Sequence, residues 1–443
     1  MIILKKRSFS GGVHPHEYKE YTDTKPTEKA GIPSKIILPL SQSLGAPAKP
    51  LVKVGDKVTV GQKIAEPQGF VSVPLHSSIT GKVIEISNRL HPNGHMALSI
   101  VIEREGNDQE FLMDEVKNWE SLPKDKILES IKEAGIVGFG GATFPTHVKL
   151  NPPKEKPIDT VILNGAECEP YLTSDHRLML ERPHDIIQGL KIIMKVTGAA
   201  KGYIGIENNK KDAAEALDKA AKGQKDIQIV VVKVKYPQGG EKQLIKSILN
   251  RRVPPPPGLP MDIGVVVQNV ATAAAVYDAV RFRKPFIERV ITITGKGVKT
   301  PKNLLARIGT PLEELVKECG GLSGKTEKII MGGPMMGLPQ VDIDVPVIKG
   351  TSGVLILRKD DIEKAEEHPC IRCGRCVQVC PMNLIPSKLA RLSEVGEFET
   401  AEKMYAMACI ECGSCSFICP AKIWLVQKIK YAKAEINARK KAS

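Results

Sequence analysis

The hydrophobic pattern changes character along the chain, which predicts several domains. From residue 32 to about 105, short β-branched runs alternate with glycine and proline turns, as in a small all-β unit. From about 121 to 284, β-rich runs alternate with stretches of helical periodicity. We predict strands at 160–163, 202–206, 227–234 and 263–267, and helices at 184–196, 211–221, 241–249 and 271–280. This alternation indicates an α/β domain with a mainly parallel sheet, whose ligands bind at the carboxyl ends of the strands.

The two ends of the chain differ from this middle part. Residues 1–30 are polar and irregular, and His14 and His16 lack a matching third ligand, so we interpret them as loop histidines. Near the other end, apolar residues at helical spacing (Leu384, Leu389, Leu392, Phe398 and Met404) predict a helical domain. From residue 421 onward, basic residues far outnumber the acidic Glu435. That segment predicts a basic amphipathic helix, which either packs on its own domain or docks on a membrane surface.

Composition narrows the class of protein. The chain carries a formal charge of +14, but aromatic residues make up only 4% and no base-reading motif is present, which argues against nucleic-acid binding. The amino-terminal residues do not form a secretory signal, because their charges follow rather than precede the apolar residues. The most apolar stretch, 263–280, is interrupted by polar residues, so we expect no transmembrane segment.

Eight of the ten cysteines form two runs of the type C-x2-C-x2-C-x3-C-P. Such runs hold cubane iron–sulfur clusters in two-cluster ferredoxins, where the fourth cysteine of each run ligates the other cluster. The pattern therefore assigns one [4Fe-4S] cluster to Cys370, Cys373, Cys376 and Cys419, and the other to Cys380, Cys409, Cys412 and Cys415. Zinc, which needs four tetrahedral ligands, is the alternative. Free thiolates also indicate a reducing, intracellular compartment, and Cys319 is expected to be a small buried residue.

Two loops of the α/β segment are candidates for ligand binding. The glycine-rich loop at 138–146, followed by Lys149, would allow backbone amides to approach a phosphate or a flat ring. By its pattern alone it could equally be a flexible turn. The loop at 164–170 follows a predicted strand and carries Asn164, Glu167 and Glu169. Solvated loop acids are the alternative there.

Four ordered motifs in this segment resemble the flavin- and NADH-binding subunit family of respiratory complex I. They are Gly138-x-Gly-Gly-x-x-Phe-Pro-Thr, Asn164-x-x-Glu-x-Glu-Pro, Tyr236-x-x-Gly-Gly-Glu and Gln268-Asn-Val-Ala-Thr. The resemblance implies flavin mononucleotide contacts from Gly138, Gly140, Gly141, Lys149, Asn164 and Asn269. It implies NADH contacts from Phe144, Glu169 and Glu241, with Glu167 close to both. We add Tyr236 and Thr272 to the cofactor-binding set and expect Glu167 and Glu169 to be catalytic. The sequence departs from the family at Phe139, Thr143 and Ala166.

The other segments also resemble known modules. Residues 54–62 and 79–83 are similar to the two halves of a biotinyl- or lipoyl-type barrel-sandwich domain, but the hairpin stretch at 67–73, where a carrier lysine would stand, has no lysine. Residues from 290 to 337 resemble a soluble-ligand-binding β-grasp (SLBB) domain. We therefore expect a multidomain α/β protein with an amino-terminal arm at 1–30, a barrel-sandwich hybrid at 31–110, a Rossmann-like flavin/NADH domain at 115–285, a β-grasp domain at 286–345, and a helical two-cluster ferredoxin domain at 346–443.

This order of modules, with the Phe9-Ser-Gly-Gly-Val-His-Pro motif, resembles the C-subunit family of Rnf electron-transport complexes along nearly the whole chain. The resemblance implies hydride exchange between NADH and the flavin, single-electron exchange with two [4Fe-4S] clusters, and ferredoxin as an indirect partner. It also implies membrane and peripheral partner subunits that couple electron flow to ion movement, on the cytoplasmic side of the membrane. A soluble corrinoid reductase and a flavin-free electron-wiring subunit are the alternatives.

Overall fold

The computed structural model describes residues 2–4, 8–106, 114–362 and 366–442. The strands are β1 (Ile2–Leu4), β2 (Thr27–Lys29), β3 (Lys35–Pro39), β4 (Lys49–Pro50), β5 (Lys57–Val58), β6 (Lys63–Glu66), β7 (Leu75–His76), β8 (Gly81–Leu90), β9 (Met96–Arg104), β10 (Thr160–Gly165), β11 (Lys201–Glu207), β12 (Ile227–Val232), β13 (Val265–Asn269), β14 (Glu288–Thr294), β15 (Lys302–Arg307), β16 (Thr326–Met331), β17 (Leu338–Gln340) and β18 (Gly353–Arg358). The helices are α1 (Lys124–Glu133), α2 (Thr146–Lys149), α3 (Ser174–Glu181), α4 (Pro183–Thr197), α5 (Lys211–Ala220), α6 (Glu241–Leu249), α7 (Val270–Phe282), α8 (Leu312–Glu318), α9 (Arg375–Gln378), α10 (Pro386–Glu394), α11 (Phe398–Lys403), α12 (Ser414–Phe417) and α13 (Leu425–Ala442).

The α/β domain is built on a parallel sheet in the order β1-β12-β11-β10-β13. Alternate residues of β10 face opposite sides, so Val161 and Leu163 pack in the main core with α4 and α7, whereas Ile162 packs with α6. The predicted strands and helices of this domain are present. The last strand, β13, is shifted by two residues from its predicted range of 263–267. It starts at Val265 and ends at Asn269, because a 3₁₀ turn occupies Pro260–Ile263.

The amino-terminal arm is largely irregular in the described residues, as expected, but it also contains two short strands that the sequence did not predict. Strand β1 pairs in parallel with β12, and β2 pairs in parallel with β15 of the β-grasp sheet. Each strand is three residues long, which is too short to show a period in the sequence, and both partners lie hundreds of residues away. The arm therefore ties the α/β and β-grasp units together.

The other β units match the predicted modules, with one shifted border. The barrel contains two antiparallel sheets, in the orders β3-β9-β8-β5 and β4-β6-β7. The β-grasp sheet has the order β17-β16-β18-β14-β15-β2, so β18 belongs to it although we expected that domain to end at 345. The expected border between barrel and α/β domain, at 110–115, falls largely on residues 107–113, outside the described residues.

The largest apolar core of the described residues spans three units of the molecule. The barrel, the α/β domain and the β-grasp unit share one continuous core, while the carboxyl-terminal helices have their own around Leu389, Phe398 and Ile429. Helix α13 packs on α10 and α11 and buries Ile429 and Ile436. The basic terminal segment is therefore a helix that packs on its own domain. In the described ranges, no helix combines the length and the apolar character that a bilayer crossing requires.

Candidate flavin and iron–sulfur sites

Two asparagines meet at the carboxyl edge of the parallel sheet. Asn164 and Asn269 are paired neighbours in the register of β10 and β13. The Asn269 carboxamide oxygen accepts a hydrogen bond from the Ala271 amide (2.6 Å) and so caps α7. Asn164 donates to the Gly239 carbonyl (2.7 Å), which holds the segment before α6 at the sheet edge. Both side chains are therefore fixed where ligands of such sheets bind.

The glycine loop at 138–146 lies against these asparagines. Gly138 donates its amide to the Phe144 carbonyl (2.9 Å), and the Phe139 amide donates to Thr272 Oγ1 (3.0 Å). Gly140 and Gly141 are exposed, and a Cβ at Gly141 would meet nothing within 4 Å. In the described structure their amides donate to no protein acceptor. This open rim of free amides fits a flavin, whose ring and phosphate need such donors.

Lys149 and Glu241 lie beside the rim and form an ion pair with 2.7 Å between the lysine Nζ and a carboxylate oxygen. Both side chains are about a third exposed, at 30% and 37%. Lys149 is therefore available to a phosphate once it leaves Glu241, and Glu241 is available to a hydroxyl-rich ligand. The resemblance had placed the two in different ligand sets, whereas the fold puts them in contact.

Glu167 has a structural partner of its own. Its carboxylate accepts hydrogen bonds from the amides of Asp175 (2.7 Å) and His176 (3.2 Å) at the start of α3. Its backbone φ is +41°, a region that non-glycine residues rarely occupy. Burial and the nearby Glu167 carboxylate raise the pKa of Asp175, which accepts a hydrogen bond from Asn269 Nδ2 (2.6 Å). Asp175 thus links Glu167 to the rim, and sequence reasoning missed it.

Glu169 points away from the glycine loop, toward the β-grasp unit. Its carboxylate accepts from the Met335 amide (3.1 Å) and lies against Gly333. Burial raises its pKa to about 7, although amides at Met335 and Met336 oppose the shift. The structure therefore does not bring Glu169 together with Phe144, which stays on the half-exposed side of the glycine loop.

A buried lysine of the amino-terminal arm holds the loop at 164–172 from below. Lys19 Nζ donates to the carbonyls of Glu167 and Glu169 (3.0 Å each) and also to that of Leu172. Lys210 donates to the Ala166 carbonyl (2.9 Å) in the same loop. No sequence motif marked Lys19, because the arm is far from this loop in the chain.

One group of cysteines surrounds a small apolar cavity. Its lining includes Cys380, Cys409, Cys412 and Cys415, which we call the inner cysteine set. Within the described part of the chain, no three His, Cys, Asp or Glu side chains are close enough to share a single metal ion. The inner thiols surround a space rather than a point, which fits a multi-atom cluster. The cavity also brings Cys380 to the other run, as the crossed ligand pattern predicts.

The other four cysteines, Cys370, Cys373, Cys376 and Cys419, form the outer cysteine set. Cys370 and Cys373 are exposed, whereas Cys376 and Cys419 pack on a small core that includes Ala390. The two cysteine loops share one backbone form. Arg372 and Glu411 both have positive φ, and Gly374 and Gly413 precede the short helices α9 and α12 with φ of +75° and +76°. The fold therefore repeats the same loop twice.

Tyr236 connects the α/β domain to the inner cysteine set. Its side chain is 2% exposed, and its hydroxyl donates to the Cys412 carbonyl (2.7 Å) and lies beside Glu169. Val13 of the arm pairs with Tyr236 through two backbone hydrogen bonds of 2.9 Å. Cys168 packs in the same apolar group, and burial raises the pKa of its thiol. Tyr236, which the sequence analysis placed in the cofactor-binding set, thus contacts the inner cysteine set from the α/β domain.

Family models and relatives agree with this architecture. Residues 7–107 match the RnfC barrel sandwich hybrid domain, 131–278 the Nuo51 FMN-binding domain, 290–339 the SLBB domain and 362–424 a 4Fe-4S dicluster domain. These matches confirm the predicted fold class. They also confirm the cofactor prediction of flavin mononucleotide and two [4Fe-4S] clusters, since the matched domains are the ones that hold these groups.

Two similar proteins and one structure can be compared directly. The C-subunit of the proton-translocating ferredoxin:NAD(+) oxidoreductase complex of Clostridium ljungdahlii is 49% identical over 98% of this chain and 94% of its own length. The C-subunit of the Na(+)-translocating complex of Acetobacterium woodii is 47% identical over 99% of both chains. Among solved structures, a crystal structure of an NAD+-reducing [NiFe]-hydrogenase in the H2-reduced state also matches part of this chain. The match covers 72% of this chain and 62% of the hydrogenase chain, but its 20% identity and TM-score of 0.49 are too weak to carry an inference. On the strength of the two relatives, the chain belongs to the RnfC family of ferredoxin:NAD(+) oxidoreductase subunits.

Proposed function

We propose that this chain is the NADH-reacting flavin and iron–sulfur subunit of an ion-translocating ferredoxin:NAD+ oxidoreductase complex. The relatives are named as subunits of such complexes. The observation that carries the proposal is the placement, within one chain, of an open glycine rim and an apolar cysteine cavity joined by Tyr236. Each feature suits one of the two cofactors that the reaction requires.

A bound flavin supplies the exchange between two-electron hydride chemistry and single-electron transfer. The protein's part is to bind and orient it. The free amides of the rim and the Lys149 ammonium provide donors and positive charge, while Asn164 and Asn269 flank them at the sheet edge. Phe144, half-exposed on the same loop, offers a flat face to the nicotinamide nucleotide. In this proposal the partly exposed Glu241 accepts hydrogen bonds from the ribose of that nucleotide.

The positions of the cysteine sets give the electron path a direction in space. The inner set lies against the α/β domain, because Tyr236 contacts Cys412 and the arm residue Gly12 donates its amide to the Val379 carbonyl (2.7 Å), next to Cys380. The outer set reaches solvent at Cys370 and Cys373. We therefore assign the inner set to exchange with the flavin site and the outer set to exchange with a partner protein. The chain would work as a peripheral component on the cytoplasmic side, with ferredoxin as an indirect partner.

The first experiment is the flavin and iron content of protein purified without oxygen. About one flavin mononucleotide and eight irons per chain are expected. Lys149→Met should lower flavin content and the rate of flavin bleaching by NADH, while Lys154→Met, at an exposed lysine, should leave both unchanged. Eight irons without flavin would leave an electron-wiring subunit. Unaltered flavin binding and NADH oxidation in Lys149→Met would move the flavin site elsewhere.

A further inference from the structure

A second, larger cavity of about 420 Å³ lies between the α/β domain and the β-grasp sheet. Helices α3 and α7 form one wall through Leu178 and Ala275, and β14 and β15 form the other through Val290 and Leu305. Of the residues that the structure describes, Asn164 and the exposed glycines of the rim are not among its lining. Its volume is in the range of small-molecule sites, which run from roughly 300 to 1,000 Å³. The cavity is therefore large enough for a ligand. It adjoins the glycine loop at Phe139 and reaches Asp175, but the exposed Gly140 and Gly141 do not line it.

A buried arginine and two aromatic rings lie at one end of this cavity. Arg289 is 6% exposed, and its guanidinium lies 4.8 Å from the centre of the Phe139 ring. One guanidinium nitrogen donates to the Lys349 carbonyl, while the Nε atom has no partner in the described structure. Phe286 packs against Phe139 with ring centres 4.6 Å apart. A buried guanidinium and two packed aromatic rings therefore lie together in the lining of the cavity.

Two pairs of oppositely charged residues in the lining compensate each other. Arg182 binds both carboxylate oxygens of Asp278 (2.6 and 3.0 Å), and Lys284 binds Glu288 (2.7 Å). Among the described residues, Asp175 is the acidic side chain that acts on Arg289, and it makes no hydrogen bond to the Arg289 Nε. A buried charge without a close counter-charge is costly. An anion that accepts hydrogen bonds from the guanidinium would reduce this cost.

We propose that the cavity binds a small planar aromatic anion, with its acidic group on Arg289 and its ring against Phe139 and Phe286. Guanidinium groups bind carboxylate, phosphate and sulfonate groups through paired N–H donors, and aromatic rings prefer flat or tilted contacts of this spacing. The apolar walls from α7 and the β-grasp strands accept the body of the ligand. Neither hydride transfer nor electron transfer, as proposed above, uses this cavity, so it is a second binding site.

The test is isothermal titration calorimetry of the anaerobically purified holoprotein with 8-anilinonaphthalene-1-sulfonate, an aromatic anion. We expect one site per chain. Arg289→Gln should weaken binding at least tenfold, because it removes the charge that holds the sulfonate. Arg307→Gln is the matched control, since it replaces an arginine of the neighbouring strand β15 that pairs with Glu288 but does not line the cavity. The affinity of the Arg307→Gln protein for the probe should equal that of the native protein.

A second variant separates binding from folding. Ala275→Leu fills the cavity from α7, keeps Arg289 and its hydrogen bond, and should also weaken binding at least tenfold. Absence of binding to the native protein, or native affinity in both variants, would overturn the proposal. Loss of flavin together with the probe in both variants would overturn it as well, by placing the cavity within the flavin site. The titration contains no NADH, so its result does not depend on the proposed oxidoreductase activity. Failure of that activity would be seen in the bleaching of the flavin by NADH.

Discussion

Lys19 offers the sharpest test of how the amino-terminal arm supports the candidate site. Its ammonium donates to three loop carbonyls, those of Glu167, Glu169 and Leu172, and it is 7% exposed. The same loop contains two non-glycine residues with positive φ, Glu167 at +41° and Tyr171 at +70°. Such conformations persist only when surrounding contacts impose them. We expect Lys19→Met to release the loop while keeping the length of the side chain.

The size of the effect follows from the three carbonyls left without a donor. A buried group that loses its hydrogen bond costs about 1 kcal/mol at the low end, or about 3 kcal/mol in sum. Relief of the buried ammonium, whose pKa burial lowers, offsets part of this cost. We therefore expect the free energy of local opening to fall by about 2 to 3 kcal/mol. Each 1.4 kcal/mol is a factor of ten, so amide exchange should accelerate roughly 30- to 140-fold.

Hydrogen exchange read by mass spectrometry can measure this acceleration. The informative peptide spans residues 166–176, which includes the Tyr171 amide bonded to the Glu17 carbonyl of the arm (2.8 Å). Lys25→Met is the matched control, because Lys25 holds the same arm through a single carbonyl, that of Pro301, away from the loop. In the Lys25→Met control, amide exchange in this peptide should be as slow as in the native protein. Native exchange in Lys19→Met would refute the idea that the arm holds the loop.

Three further changes test the inner cysteine set, the buried acid and the helix packing. Cys380→Ser should remove one cluster's iron, about half of the total, and keep the flavin, whereas Cys319→Ala, outside both sets, should retain all the iron. Glu169→Gln should raise the thermal midpoint at pH 8 and flatten its pH dependence. Burial raises the pKa of Glu169 in the folded protein from its ordinary value of 4.5 to about 7. The native glutamic acid therefore stabilises the fold below pH 4.5, and this stability is lost as the pH rises to about 7. Gly189→Ala places a Cβ 1.9 Å from the Ala273 carbonyl oxygen, so α4 and α7 must separate, at a cost of about 1–3 kcal/mol or more in thermal unfolding.

Each of these predictions has a clear contrary result. Full iron content in Cys380→Ser would contradict the crossed assignment of the fourth cysteine. A midpoint of Glu169→Gln that falls with pH as steeply as the native one would assign the dependence to other groups. Native stability in Gly189→Ala would mean that the two helices are not packed as closely as the structure describes.

The cysteine runs show how much local spacing can predict. Two-residue gaps and a following proline predict eight ligands, and the apolar cavity lined by Cys380 and Cys412 supports the crossed pattern. The parallel sheet was also predictable, because its strands and helices alternate with clear periods. Asn164 and Asn269 could be placed at the same edge for that reason, and the register pairs them.

The roles of the acids at 167 and 169 were not predictable from their motif. Glu167 and Glu169 lie two residues apart in one loop and both carry a carboxylate, but their side chains point in different directions. Glu167 turns to the first amides of α3, whereas Glu169 turns to the β-grasp loop at Met335. These partners come from elements that no local pattern connects to the loop, so only the packed domains could show them.

The sequence by itself determined the modules, their order and the cofactor-bearing motifs, because periodicity and ligand spacing act over short stretches of chain. The tertiary structure decided what joins them. Lys19 under the loop, Tyr236 on Cys412 and Arg289 over Phe139 each bring together residues that are far apart in the chain. Such contacts depend on how separate surfaces pack, and burial then sets their charges and hydrogen bonds. That information belongs to the packed domains and not to any one segment.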